Sequence, residues 1–266
     1  LSAEVVRAMA TRRVIVTAVG RCGGLPRWHG SCKPCCKHDL YPPTPHLETL
    51  FMKKTLIALS STLMIAALPS VAQAQAAFNV GAVTDYRYRG ISQSRLKPAL
   101  QGGVDYTAGA FYVGAWASTI KWVKDAGGDS NVEVDLYGGY KGEISKTLSY
   151  DVGGLYYLYS GNKLPTSANT FELYGAITAG IFTAKYSHST TNTFGFADSK
   201  GSGYLDLSAN VDLGGGFTLT PHLGHQSIKR FSAASYTDYS LTLGKDMGGG
   251  FSLSAALIGT DADKTG

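Results

Sequence analysis

Beyond Met52 the chain has no cysteine: all four, Cys22, Cys32, Cys35 and Cys36, lie upstream of it. Disulfides are therefore excluded as the means of holding the remainder together. From Ala76 onward no run of about 20 apolar residues occurs, which excludes a membrane-spanning helix there. Charge is sparse, at 16% of residues, and the net value of +5 is unevenly placed. Residues 1–51 carry seven Lys/Arg against three Asp/Glu, and Lys53 and Lys54 add two more positive charges. From residue 75 the balance is 15 basic to 16 acidic, so a nucleic-acid partner is not expected. Histidine is scarce too: after Met52 only His188, His222 and His225 remain. Neither G-x-S-x-G nor H-x-x-E-H occurs, and no base, nucleophile and activated water are brought together by pattern. The chain is not expected to be an enzyme, and no catalytic residue, cofactor or metal site is assigned.

What is present begins with a contrast in the first 76 residues. "CKPCC", with His29 and His38 nearby, has some of the spacing of a zinc site. The stretch shows no apolar periodicity, and residues 1–51 read instead as an upstream extension foreign to the native protein. "MKKTLIALSSTLMIAALPSVAQAQA" then offers two lysines, an apolar core from Leu56 to Leu68, and small-residue cleavage sites at Ala72–Ala74 or Ala74–Ala76. Residues 52–76 are expected to be a cleaved secretory signal peptide. Its apolar run is too short for a transmembrane anchor.

From residue 77 the frequent residues are glycine and tyrosine, 33 and 16 in the whole chain, which suit strands joined by glycine turns. "NVEVDLYGGY" sets Val132, Val134, Leu136 and Tyr140 on one face against Glu133, Asp135 and Tyr137. "FYVGAWAS" sets Phe111, Val113, Ala115 and Ala117 against Tyr112, Gly114, Trp116 and Ser118. "YLDLSANVDL" alternates likewise, Leu205 to Leu213 against Asp206 to Asp212. Eleven such segments are expected: 77–89, 97–108, 110–119, 131–142, 146–159, 170–179, 181–190, 202–213, 216–227, 236–246 and 250–259. Short glycine turns alternate with long polar loops at 90–96, 120–130, 160–169, 191–201 and 228–235. That asymmetry is the pattern of a bacterial outer-membrane barrel, and a soluble sandwich has no need of it. Aromatic residues near strand ends, Tyr86, Tyr88, Phe111, Tyr140, Tyr159, Phe171, Phe217, Tyr239 and Phe251, suit girdles at the two membrane interfaces.

The stretch "TDYRYRGISQSRLKPALQGGVDY", followed by "FYVGAWAS" and "EVDLYGGY", resembles the TorF family of porins, proteobacterial proteins of unestablished substrate. The resemblance covers most of residues 78–260, with D-Y-x-x-R-G-I-S-Q at Asp85–Gln93 its most specific part. It implies an all-β, antiparallel, up-and-down transmembrane barrel of twelve strands, and it supplies no catalytic residues. Eleven strands cannot close such a barrel, because the first and last would run parallel. Residues 77–266 are thus expected to be a barrel lacking its last strand, with "TDADKTG" opening the loop before it.

The alternation places Asp85, Arg87, Arg89, Asp105, Glu133, Asp135, Glu172, Lys185, Asp206 and His222 on the lumen side. Tyr86 and Tyr88 then face lipid or the interface, since a charge on the lipid face at the midplane costs about 2–4 kcal/mol. The expected function is a narrow, mixed-charge channel for passive diffusion of ions or small polar solutes. A closed structural or adhesive barrel is the alternative, and an outer-membrane hydrolase a more remote one. The expected partners are outer-membrane lipid, the diffusing solutes, and the barrel-assembly machinery during biogenesis.

Overall fold

The computed structural model describes residues 13–23 and 75–262. The cysteine cluster from Cys32 to Cys36 and the signal-peptide reading, apart from its last two residues, lie outside the described residues. The strands follow period two nearly as the sequence predicts. They are β2 (Gln75–Val83), β5 (Ala99–Ala108), β6 (Phe111–Thr119), β7 (Val132–Ser145), β8 (Leu148–Leu158), β9 (Thr170–Ala179) and β10 (Phe182–Ser189). Then come β11 (Gly203–Ala209) and β12 (Val211–Gly214), one wall strand interrupted at Asn210, then β13 (Phe217–Ser227), β14 (Tyr236–Gly248) and β15 (Phe251–Thr260). Each pairs antiparallel with its chain neighbour, and β11 and β12 both pair with β13.

Closure comes from β1 (Arg13–Gly23), which lies between β15 and β2. Its register runs from Arg13 opposite Ile258 to Gly20 opposite Phe251 on one side, and from Thr17 opposite Val83 to Gly23 opposite Ala77 on the other. The result is a closed antiparallel barrel of twelve wall strands. The twelfth position, which the sequence reading leaves open after β15, is filled by a segment of the upstream extension. That segment does alternate: Thr17 is buried while Val16 and Ala18 are exposed. Closure leaves no unpaired row of backbone donors and acceptors along β2 or β15.

The abundance of glycine with tyrosine has a packing cause. Tyrosine side chains occupy the space beside glycines of neighbouring strands: Tyr137 at Gly114, Tyr112 at Gly139, Tyr174 at Gly153 and Tyr204 at Gly224 inside, Tyr186 at Gly203 and Tyr239 at Gly259 outside. At each of these a β-carbon would overlap the ring. The two GGG turns need glycine for another reason: Gly214–Gly216 and Gly248–Gly250 all have φ between 59° and 85°, where a side chain is strained.

The outer surface is apolar. Phe78, Val80, Leu100, Val113, Leu173 and Leu257 are each more than half exposed, and Leu136, Leu205, Leu241 and Leu253 are close to it. A belt of this extent around a closed barrel is what a lipid-facing wall presents and what a soluble monomer avoids. At the end with short turns, Phe111, Phe182, Phe217 and Phe251 begin their strands, and Tyr140 stands edge-on to Phe111 at 4.9 Å. These aromatics stand at one end of the barrel, where one of the two girdles is expected.

The first strand corrects the sequence reading. It ends at Val83, not at residue 89. From Thr84 to Pro98 the chain turns into the barrel mouth, where Arg87–Tyr88 (β3) and Ile91–Ser92 (β4) form a minimal hairpin. Tyr86 is 5% exposed, and Tyr88 packs inside against Tyr157 and Phe194, so neither faces lipid. Tyr159, also expected in a girdle, is buried inside as well. The remaining long loops lie at the same end, one carrying the short helix α1 (Trp122–Asp125).

Candidate functional site

The lumen is the site, and the segment 84–98 occupies its loop-end half. Local hydrogen bonds fix the segment's shape. Asp85 accepts from Arg87 Nε at 2.9 Å, from Ser92 Oγ at 2.5 Å and from Ser94 Oγ at 3.1 Å, while Arg87 also donates to the carbonyl of Gly90. Arg87 therefore holds its own turn and is 5% exposed. Gly90, at φ 79°, approaches the wall so closely that a β-carbon there would lie 2.6 Å from Asp238 Cβ and 3.2 Å from Thr260 Cβ.

Long-range contacts anchor the segment to the wall. Arg89 donates to both oxygens of Glu172, at 3.1 and 2.7 Å, and to Gln226 Oε1 at 2.6 Å. Its guanidinium lies 4.7 Å from the Tyr88 ring centre and 4.2 Å from that of Tyr204. Glu172 receives further hydrogen bonds from Tyr157 and Ser189. Tyr86 donates to Glu133 at 2.6 Å, and Tyr88 and Tyr157 share a short hydroxyl contact. A buried ion pair is tolerated only when its remaining lone pairs and protons find partners, and the Arg89–Glu172 pair largely meets that condition. Around it lies an apolar core inside the barrel, including Val83, Trp116, Ile120, Val123 and Tyr157. Asp135 is also inside, with one carboxylate oxygen buried and without a hydrogen-bond partner.

The turn-end half is built differently. Asp105 accepts from Tyr137 at 2.6 Å; Asp151 accepts from Tyr112 at 2.6 Å, and Tyr112 touches Tyr174 through its hydroxyl. Lys185 lies 4.0 Å from the Tyr174 ring centre and Lys141 5.5 Å from that of Tyr112. Nearer the loop end, under the inserted segment, His222 sits 3.3 Å from Asp206 and 3.6 Å from Asp238, and Tyr204 donates to Asp238 at 2.9 Å.

All ten residues placed on the lumen side by alternation lie inside the barrel. Asp85, Arg87 and Arg89 do so on the inserted segment; Asp105, Glu133, Asp135, Glu172, Lys185, Asp206 and His222 do so on the wall. Sequence reasoning missed Lys141, Asp151, Gln226 and Asp238, although each falls at an inward position of its strand. It also missed that inner tyrosines donate to Glu133, Asp151, Asp105, Glu172 and Asp238. Above the inserted segment, among the long loops, a cavity of about 630 Å³ remains.

A closed antiparallel barrel with an apolar belt and a polar interior defines a class, and it fits a Gram-negative outer-membrane protein. Residues 69–266 match the family described as "Bacterial protein of unknown function (Gcw_chp)", and the chain belongs to that family. No curated protein and no solved structure matches the chain.

Proposed function

We propose that this chain is an outer-membrane barrel whose lumen is held shut by its own segment 84–98, and that it has no standing pore. One observation carries the reading: the Arg89–Glu172–Gln226 cluster and its apolar surround pack the loop-end half of the lumen as a protein core. An eight-stranded wall is filled by its side chains alone and a 16-stranded one holds a water channel; a twelve-stranded wall lies between them and has room for an inserted segment. The outward apolar belt supports placement in the outer membrane, with the long loops outside.

The resemblance to TorF porins supports a second reading, passive diffusion of ions or small polar solutes. The turn-end half favours it, because Asp105, Lys141 and Lys185 are only half-buried and line a mixed-charge space. On that reading the segment must move for solute to pass. Bilayer recording on refolded protein tests both. The unaltered chain is expected to show no steady conductance, and replacing residues 86–96 by a short Gly-Ser turn should create one. Steady ohmic conductance from the unaltered chain would overturn the closed-lumen reading. If a channel opens, Lys141→Glu with Lys185→Glu should shift its permeability toward cations.

A further inference from the structure

The exposed charges at the loop end do not balance. Its carboxylates are already engaged: Asp125 pairs with Arg95, Asp129 with Lys163 at 2.9 Å, and Asp198 stands 3.8 Å from Arg230. Asp261 accepts from the backbone N–H of Thr237. Lys97, Lys121, Lys200 and Lys229 are exposed at the same end and make no ion pair among the described residues. At the turn end the balance reverses, with Glu143, Asp212 and Asp246 against Lys146 and Lys245. A basic surplus confined to one end of a membrane barrel faces one leaflet and draws anionic headgroups to it.

Two of these lysines stand beside the outer wall in a frame fixed by hydrogen bonds. On β10 Tyr186 and His188 point outward, while Ser187 and Ser189 are buried. A β-carbon at Gly201 would lie 3.2 Å from Lys229 Nζ and 3.9 Å from His188 Cε1, so ammonium and imidazole flank one bare spot of backbone. Three segments are stitched together around it. The N–H of Ser189 donates to the carbonyl of Ser202, and the N–H of Gly201 to that of Ser189, both at 2.9 Å. The N–H of Lys229 donates to Ser202 Oγ at 3.0 Å, and that hydroxyl donates to the carbonyl of Ser199 at 2.6 Å. Lys200 lies between Ser199 and Gly201 in the same frame. The His188 ring leans on Tyr186 at 6.4 Å, and the Tyr186 hydroxyl reaches Gly203, the residue opposite His188. Alongside and below, the wall is apolar: Leu173 is paired with His188, Leu205 with Tyr186, and Leu207 with Leu223, all well exposed. Cations and donors at the rim over leucines below follow the order of a lipid, headgroup at the interface and chains in the bilayer. We propose that His188, Lys200 and Lys229, above Tyr186, Leu205 and Leu223, form a binding site for a phosphate-bearing lipid of the outer leaflet. Its phosphate takes charge-assisted hydrogen bonds from the two ammonium groups, and its chains lie along the leucines. The site rests on the membrane placement proposed above, and not on whether the lumen is closed.

The test is native mass spectrometry of the full chain, refolded in a non-ionic detergent and titrated with diphosphoryl lipid A or with phosphatidylcholine. Flotation with phosphatidylcholine vesicles checks the membrane placement separately. Lipid A should bind saturably and at least about tenfold more tightly than phosphatidylcholine. Lys200→Gln with Lys229→Gln should weaken it about ten- to thirtyfold, and His188→Gln about two- to fivefold, with heat-resistant migration on gels kept. Lys146→Gln with Lys245→Gln removes the same charge at the turn end and should leave lipid A binding unchanged. Glycerol 3-phosphate, a headgroup without chains, should not displace lipid A. Equal binding of the two lipids, or equal losses in the two double variants, would overturn the site while leaving the placement intact. Displacement by glycerol 3-phosphate would overturn a lipid as the occupant, and a chain that does not float with vesicles would overturn the placement and the site together.

Discussion

Arg89, at the loop end of the lumen, is gripped by Glu172, Gln226 and the rings of Tyr88 and Tyr204, and is almost wholly buried. Lys185 and Lys141, at the turn end, each lie over one tyrosine ring and stay half-buried. The same ingredients, one cation with carboxylates and tyrosines, thus make a core at one end and a looser polar lining at the other. The difference lies in what fills the middle. At the loop end an extra piece of chain brings its own backbone and side chains, and most of its polar groups find protein partners, Arg87 Nη2 and Arg89 Nε being left without one. At the turn end side chains alone meet across the lumen, and partial wetting relaxes the demand for protein partners.

The comparison breaks most sharply at the ion pair. Arg89→Met should destabilise the barrel by about 3–5 kcal/mol, since it leaves the Glu172 carboxylate buried without its cation. Adding Glu172→Leu should recover most of that loss, whereas Lys185→Met alone should cost under about 1 kcal/mol. Urea unfolding in lipid vesicles reads all three, and equal costs for Arg89 and Lys185 would erase the contrast. Next comes the seat of the hairpin. Gly90→Ala drives a β-carbon into Asp238 and Thr260 from a left-handed backbone, and should cost about 1–3 kcal/mol by overpacking. Its sharper readout is conductance: a loosened hairpin should flicker open in bilayers that the unaltered chain leaves silent.

Smaller effects are expected at the turn end and outside. Tyr112→Phe removes the hydrogen bond to Asp151 and should cost about 1 kcal/mol, again by urea unfolding. On the outer loops, the hydrogen bond from the Lys163 ammonium, with the charges of Lys163 and Lys124, holds the Asp129 carboxyl below its ordinary range. A carboxyl whose value is lowered on folding adds stability that is present above the unfolded value and fades as pH falls through the folded one. Asp129 is fully exposed, so Asp129→Asn should flatten this acid-side dependence slightly and leave neutral-pH stability unchanged within error.

The wall was legible because its signal is local. Period two in segments such as Val132–Tyr140 says which side each residue takes, and glycine runs mark the turns. Residues 84–98 were not, because "TDYRYRGIS" alternates as a strand does, and an Asp85–Arg87 contact two residues apart suits either shape. What draws the segment inward is Glu172, Gln226 and Glu133 waiting on distant strands, and no local pattern reports them. The loop-end cavity was hidden for the same reason: Trp122, Phe194 and Phe231 belong to three loops, and only the closed wall makes them neighbours. The twelfth wall strand escaped notice because residues 13–23 sit among cysteine-rich and irregular neighbours that masked their alternation.

Arg89 precedes its wall partners by 83 and 137 residues, and Gly90 leans on Asp238 and Thr260, near the far end of the described chain. The hairpin therefore cannot be seated while the wall is still being added strand by strand. Until β13 brings Gln226, Arg89 lacks one of its partners, and until β14 and β15 arrive Gly90 has no wall to lean on. Seating is then the final act of assembly, and an incomplete barrel differs from a finished one by an unlatched, water-exposed arginine. Protection of the 84–98 backbone amides from hydrogen exchange should accordingly appear after that of every wall strand.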